Sequence, residues 1–209
     1  LALYSDRIDS PLRAGNAGGD GLSGDWIASM LLTAITFLPS IGALFTLFAP
    51  KNRPESAGWI AFAASGASLA LCVPLTFLFP YGEPGFHMSP ALVSWIPALG
   101  IDYRIGIDGL SLVLVVLTAL LSTLSILASF TSIQHHKNEF YFFMLVLETG
   151  MLGTFIALDM FLFFLFWELT LVPIYFLVSL WGIGPERRFA AVKYTLFMLA
   201  GGIPLLFAI

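Results

Sequence analysis

Glu168 stands in the middle of a long apolar run, MFLFFLFWELTLVPIYFLVSLWG, that extends from Met160 to Gly182. A helix needs about 20 apolar residues to cross a bilayer, so this run is long enough. A carboxylate at the centre of such a helix costs at least about 2.5–3.5 kcal/mol on insertion scales. It therefore usually faces a bundle interior or a wet cavity and serves an ion path. A second carboxylate, Glu148, lies near the middle of the preceding run, and the turn between the two runs centres on Leu158 and Asp159. With a rise of 1.5 Å per residue, both carboxylates sit roughly 15 Å from that turn, half of a hydrocarbon core of about 30 Å. The spacing predicts two carboxylates at the midplane on adjacent antiparallel helices. The plainer alternative is a pair of neutral glutamic acids bonded to neighbouring groups as helix glue.

Lys193 is the third charge, about one and a half turns into the last apolar run. Snorkelling to the interface accounts for a lysine at that depth. The alternative is a cation near the inner end of a polar path, loosely paired with a carboxylate. Burial favours the neutral form of acids and amines, and a nearby opposite charge favours the charged forms. A glutamate whose lysine partner moves can thus switch between charged and neutral states, which is what proton handling requires. Pro173 follows Glu168 by five residues. It leaves the Leu169 carbonyl without its helix donor, and that polar group could hold water or a lysine, or the proline could serve packing alone. Asp159 suits the N-cap of the helix that carries Glu168. Gly150 and Gly153, with Ala157, suit close helix packing. His135 and His136 adjoin in a polar loop with no third ligand at useful spacing, a weak metal signal. No metal-ligand set, glycine-rich phosphate loop or nucleophile arrangement occurs in the sequence.

The elements that must position these residues follow from composition. Of 209 residues, 58% are hydrophobic and 11% charged, with 20 phenylalanines. Soluble domains carry about 25% charged residues, so this chain is expected to be an all-α integral membrane protein. Barrel strands are shorter and alternate in polarity; these runs do neither. About six spans are predicted, over residues 26–49, 58–79, 109–130, 140–158, 160–182 and from 189 to the last residue, 209, where the sixth is cut off. Residues 1–25, rich in Gly, Asp and Ser, read as a polar, disordered tail. Residues 80–108 form the one long connection and fit either a surface hairpin or a plain loop. The start at Leu1 and the stop inside an apolar run read as the N-terminal portion of a longer chain. Cys72 reads as a small buried residue.

Lysine and arginine set the expected orientation. Alternate connections collect Lys51, Arg53, Lys137, Arg187 and Arg188 on one side, against Arg104 in the loops of the other. The first side should be cytoplasmic, which puts the N-terminal tail and the 80–108 connection outside. The composition offers no basic patch for nucleic acid.

The motif FWELTLVPIYFLVSLWG resembles the fifth helix of the antiporter-like, Mrp-related membrane subunits of respiratory complex I, the proton-translocating NADH:quinone oxidoreductase. YRIGIDGLSLVLVVLTALLSTLSILASF (103–130) resembles the third helix of that family, FYFFMLVLETGMLGTFIALDMFLFF (140–164) the fourth and its turn, and FAAVKYTLFMLAGG (189–202) the sixth. The likeness implies proton translocation driven by electron transfer elsewhere. Glu168 matches the family's essential glutamate and Lys193 its sixth-helix lysine; Glu148 has a weaker counterpart as a secondary relay. The family pairs the glutamate with a lysine on a seventh helix, which lies beyond this sequence. The resemblance implies no cofactor in this chain. NADH, FMN, iron–sulfur clusters and quinone are expected in partner subunits, with neighbouring antiporter-like chains as direct partners in a bacterial inner membrane. Two alternatives stay open: a subunit of an Mrp-type sodium/proton antiporter or membrane-bound hydrogenase, and a non-transporting helical scaffold.

Overall fold

In lipid, backbone amides and carbonyls find no water, so an apolar run must satisfy them internally, and a helix does so. The computed structural model describes residues 21–50, 55–81, 85–87, 93–96 and 101–209. Among them lie six helices: α1 Gly21–Leu47, α2 Glu55–Leu78, α3 Gly109–Ser132, α4 Lys137–Ile156, α5 Met160–Trp181 and α6 Arg187–Ala208. Each holds a segment long and apolar enough to cross a membrane, beginning at Ile27 in α1. One expected boundary moves. Residues 21–25 open α1 instead of belonging to the tail, because a helix nucleated by an apolar span extends outward at little cost. The sixth run forms α6 over 22 residues, up to the last residues of the sequence. The rest of the expected tail, residues 1–20, lies outside the described residues, as do Lys51 and Arg53.

The starts of α3 and α5 are fixed by side chains. The Asp108 carboxylate accepts from the Ser111 amide at 2.7 Å and caps α3. That bond holds the Asp108 carboxyl below its ordinary value. Asp159 accepts from the Phe161 and Leu162 amides at 2.9 and 3.0 Å and caps α5, as its position suggested.

Within the 80–108 connection, β1 (Val93–Ile96) and β2 (Ile101–Tyr103) pair antiparallel, with Ser94 opposite Asp102 and an irregularity before Ile96. The hairpin alternative is therefore the observed one. The strand-like segment after β2 is tied to the turn between α4 and α5: the Gly106 amide donates to Ile156 O at 2.9 Å and the Leu158 amide to Arg104 O at 3.0 Å. A Cβ on Gly106 would stand 2.8 Å from the Leu158 side chain and 3.2 Å from His87 O, so this approach is close. The Tyr103 hydroxyl reaches Thr33 at 3.5 Å, and burial pushes the Tyr103 phenol up from its ordinary value. At the opposite end, Asn138 Nδ2 donates to Ala49 O and Trp181 Nε1 to His135 O, both at 3.0 Å.

Helix α4 is the centre of the bundle, packed against α1, α2, α3 and α5, whereas α6 packs chiefly on α5. Half of the α4 span is buried within the chain, against 11% of the α6 span. Two apolar clusters fill the interior. The one beneath the hairpin includes Leu32, Leu75, Val115 and Leu152, and the one toward the other end includes Ala61, Ile126, Tyr141 and Leu145. On each of α1 to α4 the stretch between these clusters carries polar side chains: Thr36 and Ser40, Ser65 and Ser68, Ser122 and Thr123, Glu148 and Thr149. The core is thus an apolar sandwich with a polar belt at half depth.

Candidate functional site

The two carboxylates stand level. Glu148 is eight residues from the end of α4 and Glu168 eight from the start of α5, which at 1.5 Å per residue puts each about 12 Å below the shared turn. The level agrees with the spacing argument, but the two side chains do not meet. Gly150 and Gly153 bring α4 against α5: a Cβ on Gly150 would stand 2.8 Å from the Thr170 methyl, and one on Gly153 would enter the Phe166 ring. The expected close packing is present there, while Ala157 lies past the helix end and pairs with Ile105 as an isolated bridge.

Glu148 points away from α5, into the polar belt. It is fully buried. Ser65 Oγ donates to its Oε1 at 2.9 Å, and Ser65 Oγ lies 2.9 Å from Thr123 Oγ1. Its Oε2 is buried with no hydrogen-bond partner among the described residues. Beside it, Ser40 donates to Thr149 at 2.8 Å, joining α1 to α4.

Glu168 points the other way. Its carboxyl is half-buried and, among the described residues, takes no hydrogen bond and no ion pair. Its Oε1 occupies the place a Cβ on Gly202 would fill, so α6 meets the carboxyl through bare backbone. Helix α5 continues unbroken through the buried Pro173. Lys193 is exposed on α6 and makes no ion pair among the described residues. It lies nine residues from Gly202, about 13 Å along the axis, so this chain does not bring Lys193 to Glu168. The three charges named from sequence thus occupy three surroundings: the belt, the α5–α6 seam and the outer face of α6.

Sequence reasoning missed Ser65, Thr123 and Gly202. The hydroxyls carry no local signal, because hydroxyls in these helices commonly bond to their own backbone, as Thr36 does to Leu32 O and Thr154 to Gly150 O. Gly202 is one of two adjacent glycines, and only the fold shows which one meets the carboxyl.

Two family profiles match consecutive stretches. Residues 86–158 match the amino terminus of NADH-ubiquinone oxidoreductase chain 4, and residues 157–209 match the membrane region of the NADH:quinone oxidoreductase/Mrp antiporter family. The chain belongs to this family of antiporter-like membrane subunits. Among curated relatives, NADH-quinone oxidoreductase subunit M of Escherichia coli (strain K12) is 38% identical over 190 residues, covering 86% of this chain and 37% of that one. NAD(P)H-quinone oxidoreductase chain 4 1 of a Nostoc species is 36% identical over 177 residues, covering 85% and 32%. The chain therefore spans about a third of the length of the curated relatives it matches. Among solved structures, respiratory complex I from Thermus thermophilus with bound NADH contains a chain that matches at TM-score 0.70 and 25% identity, covering 85% of this chain and 34% of that one. The Mrp complex from Dietzia matches at TM-score 0.68 and 26% identity, covering 87% and 19%. Within this antiporter-like family, the second matched stretch includes Glu168, Pro173, Lys193 and Gly202, and the first includes Thr123 and Glu148.

Proposed function

We propose that this chain is the N-terminal part of a proton-translocating membrane subunit of an NADH:quinone oxidoreductase. Electron transfer through NADH, FMN, iron–sulfur clusters and quinone would occur in partner subunits, and this chain would answer it by moving protons. The observation that carries the reading is Glu168. It is a carboxyl at mid-membrane depth with no partner among the described residues, held open beside Gly202 on a seam that α6 covers only with backbone. An ionisable residue inside a membrane span typically marks an ion path. Glu168 is the main proton carrier in this reading, Lys193 a cation on the exposed face of α6 that modulates it from nearer the inner surface, and Glu148 a secondary relay. Membership of the antiporter-like family supports the same roles.

The test is Glu168→Gln in the assembled complex, with vesicle acidification measured beside native-gel abundance. Gln keeps the shape but cannot change charge. Moving one charge through 100 mV is worth about 2.3 kcal/mol, so proton transfer should fall about tenfold or more with abundance unchanged. Glu168→Asp should retain part of it. Normal acidification by an assembled Gln variant would remove Glu168 from the path and favour the helical scaffold. A sodium/proton antiporter subunit is the second reading, supported by the Mrp family description and the Dietzia likeness. A strict sodium requirement for acidification would favour it.

The proposed orientation has the α4–α5 turn and the hairpin on the outer side of a bacterial inner membrane, with the loop around Gln134 cytoplasmic. The lysine and arginine bias supports this. A membrane-impermeant thiol reagent applied to intact cells should label a cysteine introduced at Phe86 and miss one at Gln134; the reverse pattern would invert the topology.

A further inference from the structure

The polar belt holds a chain of hydroxyls that the path through Glu168 leaves unused. Ser65 on α2, Thr123 on α3 and Glu148 on α4 meet where the three helices pack, all buried. Glu148 Oε1 is 2.9 Å from Ser65 Oγ, Ser65 Oγ is 2.9 Å from Thr123 Oγ1, and Thr123 Oγ1 is 2.8 Å from Ala119 O. The chain therefore has three contacts in series and ends on a carbonyl, which can only accept.

Each contact needs one hydrogen, and a serine or threonine hydroxyl supplies one. With Glu148 ionised, the carboxylate only accepts, so two hydrogens must serve three contacts. Ser65 then turns to donate to Glu148, and Thr123 must choose between Ser65 Oγ and Ala119 O. With a proton on Oε1, the count closes. Glu148 donates to Ser65, Ser65 to Thr123 and Thr123 to Ala119 O. The ionised state therefore lacks one hydrogen for these three contacts, and one link of the chain opens.

We infer that Ser65 and Thr123 are positioning residues for a proton held on Glu148, forming a one-directional chain that ties α2, α3 and α4 together when the proton is present and loses one link when it leaves. Glu148 Oε2, buried and unpartnered among the described residues, is the carboxyl atom free to meet an incoming donor while Oε1 stays engaged. This inference rests on the reading of Glu148 as a relay. A static glue would use the same contacts but would never need to reverse them.

The experiment uses the assembled complex in membrane vesicles and reads acidification per NADH oxidised, normalised to native-gel abundance. The variants are Glu148→Gln, Ser65→Ala, the double Ser65→Ala/Glu148→Gln, Thr123→Val and Thr123→Ser. Glu148→Gln and Ser65→Ala should each lower acidification about two- to fivefold, the size of one hydrogen bond. The double variant should fall no further than either single. Thr123→Val should match them and Thr123→Ser should restore wild-type output, which keeps the test open if Ser65→Ala assembles poorly. Wild-type output from Ser65→Ala and Thr123→Val beside an impaired Glu148→Gln would overturn the chain and leave the relay standing. A double variant that falls to the product of the singles, or Thr123→Ser behaving like Val, would also overturn the chain. Wild-type output from Glu148→Gln would remove the relay itself, and the chain with it.

Discussion

Glu148 and Glu168 stand level on neighbouring helices, yet their surroundings have little in common. Glu148 sits on the most enclosed helix, at the junction of α2, α3 and α4, with one oxygen hydrogen-bonded and the other buried. Glu168 sits on the seam between α5 and α6, without hydrogen bond or ion pair among the described residues. The inner carboxyl is framed by this chain alone, whereas the outer one faces a helix that the chain hardly covers. A group that must exchange partners needs an open side, and a group that binds helices needs enclosure. The α4–α5 hairpin turns one residue type to both uses by directing the two side chains to opposite sides of the α4–α5 contact.

The contrast is sharpest in the pair of glutamine variants. Glu168→Gln should abolish most proton transfer and Glu148→Gln only part of it; equal losses would mean that enclosure does not separate the roles. The next largest effect is expected at Gly202. A methyl there must displace the Glu168 carboxyl or move α6. Gly202→Ala should reduce acidification several-fold in an assembled complex. Gly201→Ala, where an added Cβ meets nothing within 4 Å, should leave it unchanged. If both glycine variants behave alike, α6 does not shape the Glu168 site.

The smallest effect is expected at Asp108, which caps the helix carrying Thr123. Asp108→Ala should cost about 1 kcal/mol of stability and leave pumping intact. The Ser111 amide lowers the Asp108 carboxyl in the folded chain. Its contribution is therefore present above the unfolded carboxylate value of about 4 and is lost as pH falls through the lower folded value. Thermal melts of the purified complex should lose less on acidification in Asp108→Ala than in wild type. An identical acid loss in both would show that the cap is not the titrating group.

Glu168, Glu148 and Lys193 were legible as intramembrane charges because the bilayer makes any ionisable residue in an apolar run conspicuous. Their depths followed from counting residues, since helix rise is fixed. Asp159 as a cap and Gly150 and Gly153 as contact points were also local, each resting on its own helix end or face. The direction of each carboxyl was not legible. A residue's azimuth on a helix has meaning only relative to its neighbours, and every face of these helices is apolar enough to pass for a lipid face. Ser65 and Thr123 were hidden for a related reason: a hydroxyl in a membrane helix bonds to its own backbone unless another helix offers something better.

By itself, then, the sequence determined that this chain is helical, crosses a membrane several times, carries two carboxylates at one depth and belongs with the antiporter-like subunits. Those facts depend on composition, on helix rise and on motifs contiguous in the chain. Only the tertiary structure decided that α4 is the hub, that Glu148 closes a hydroxyl chain from two other helices, and that Glu168 meets bare backbone at Gly202. These depend on contacts between residues 34 to 83 positions apart. Such contacts arise from packing, and no local pattern encodes the rotation of one helix against the next.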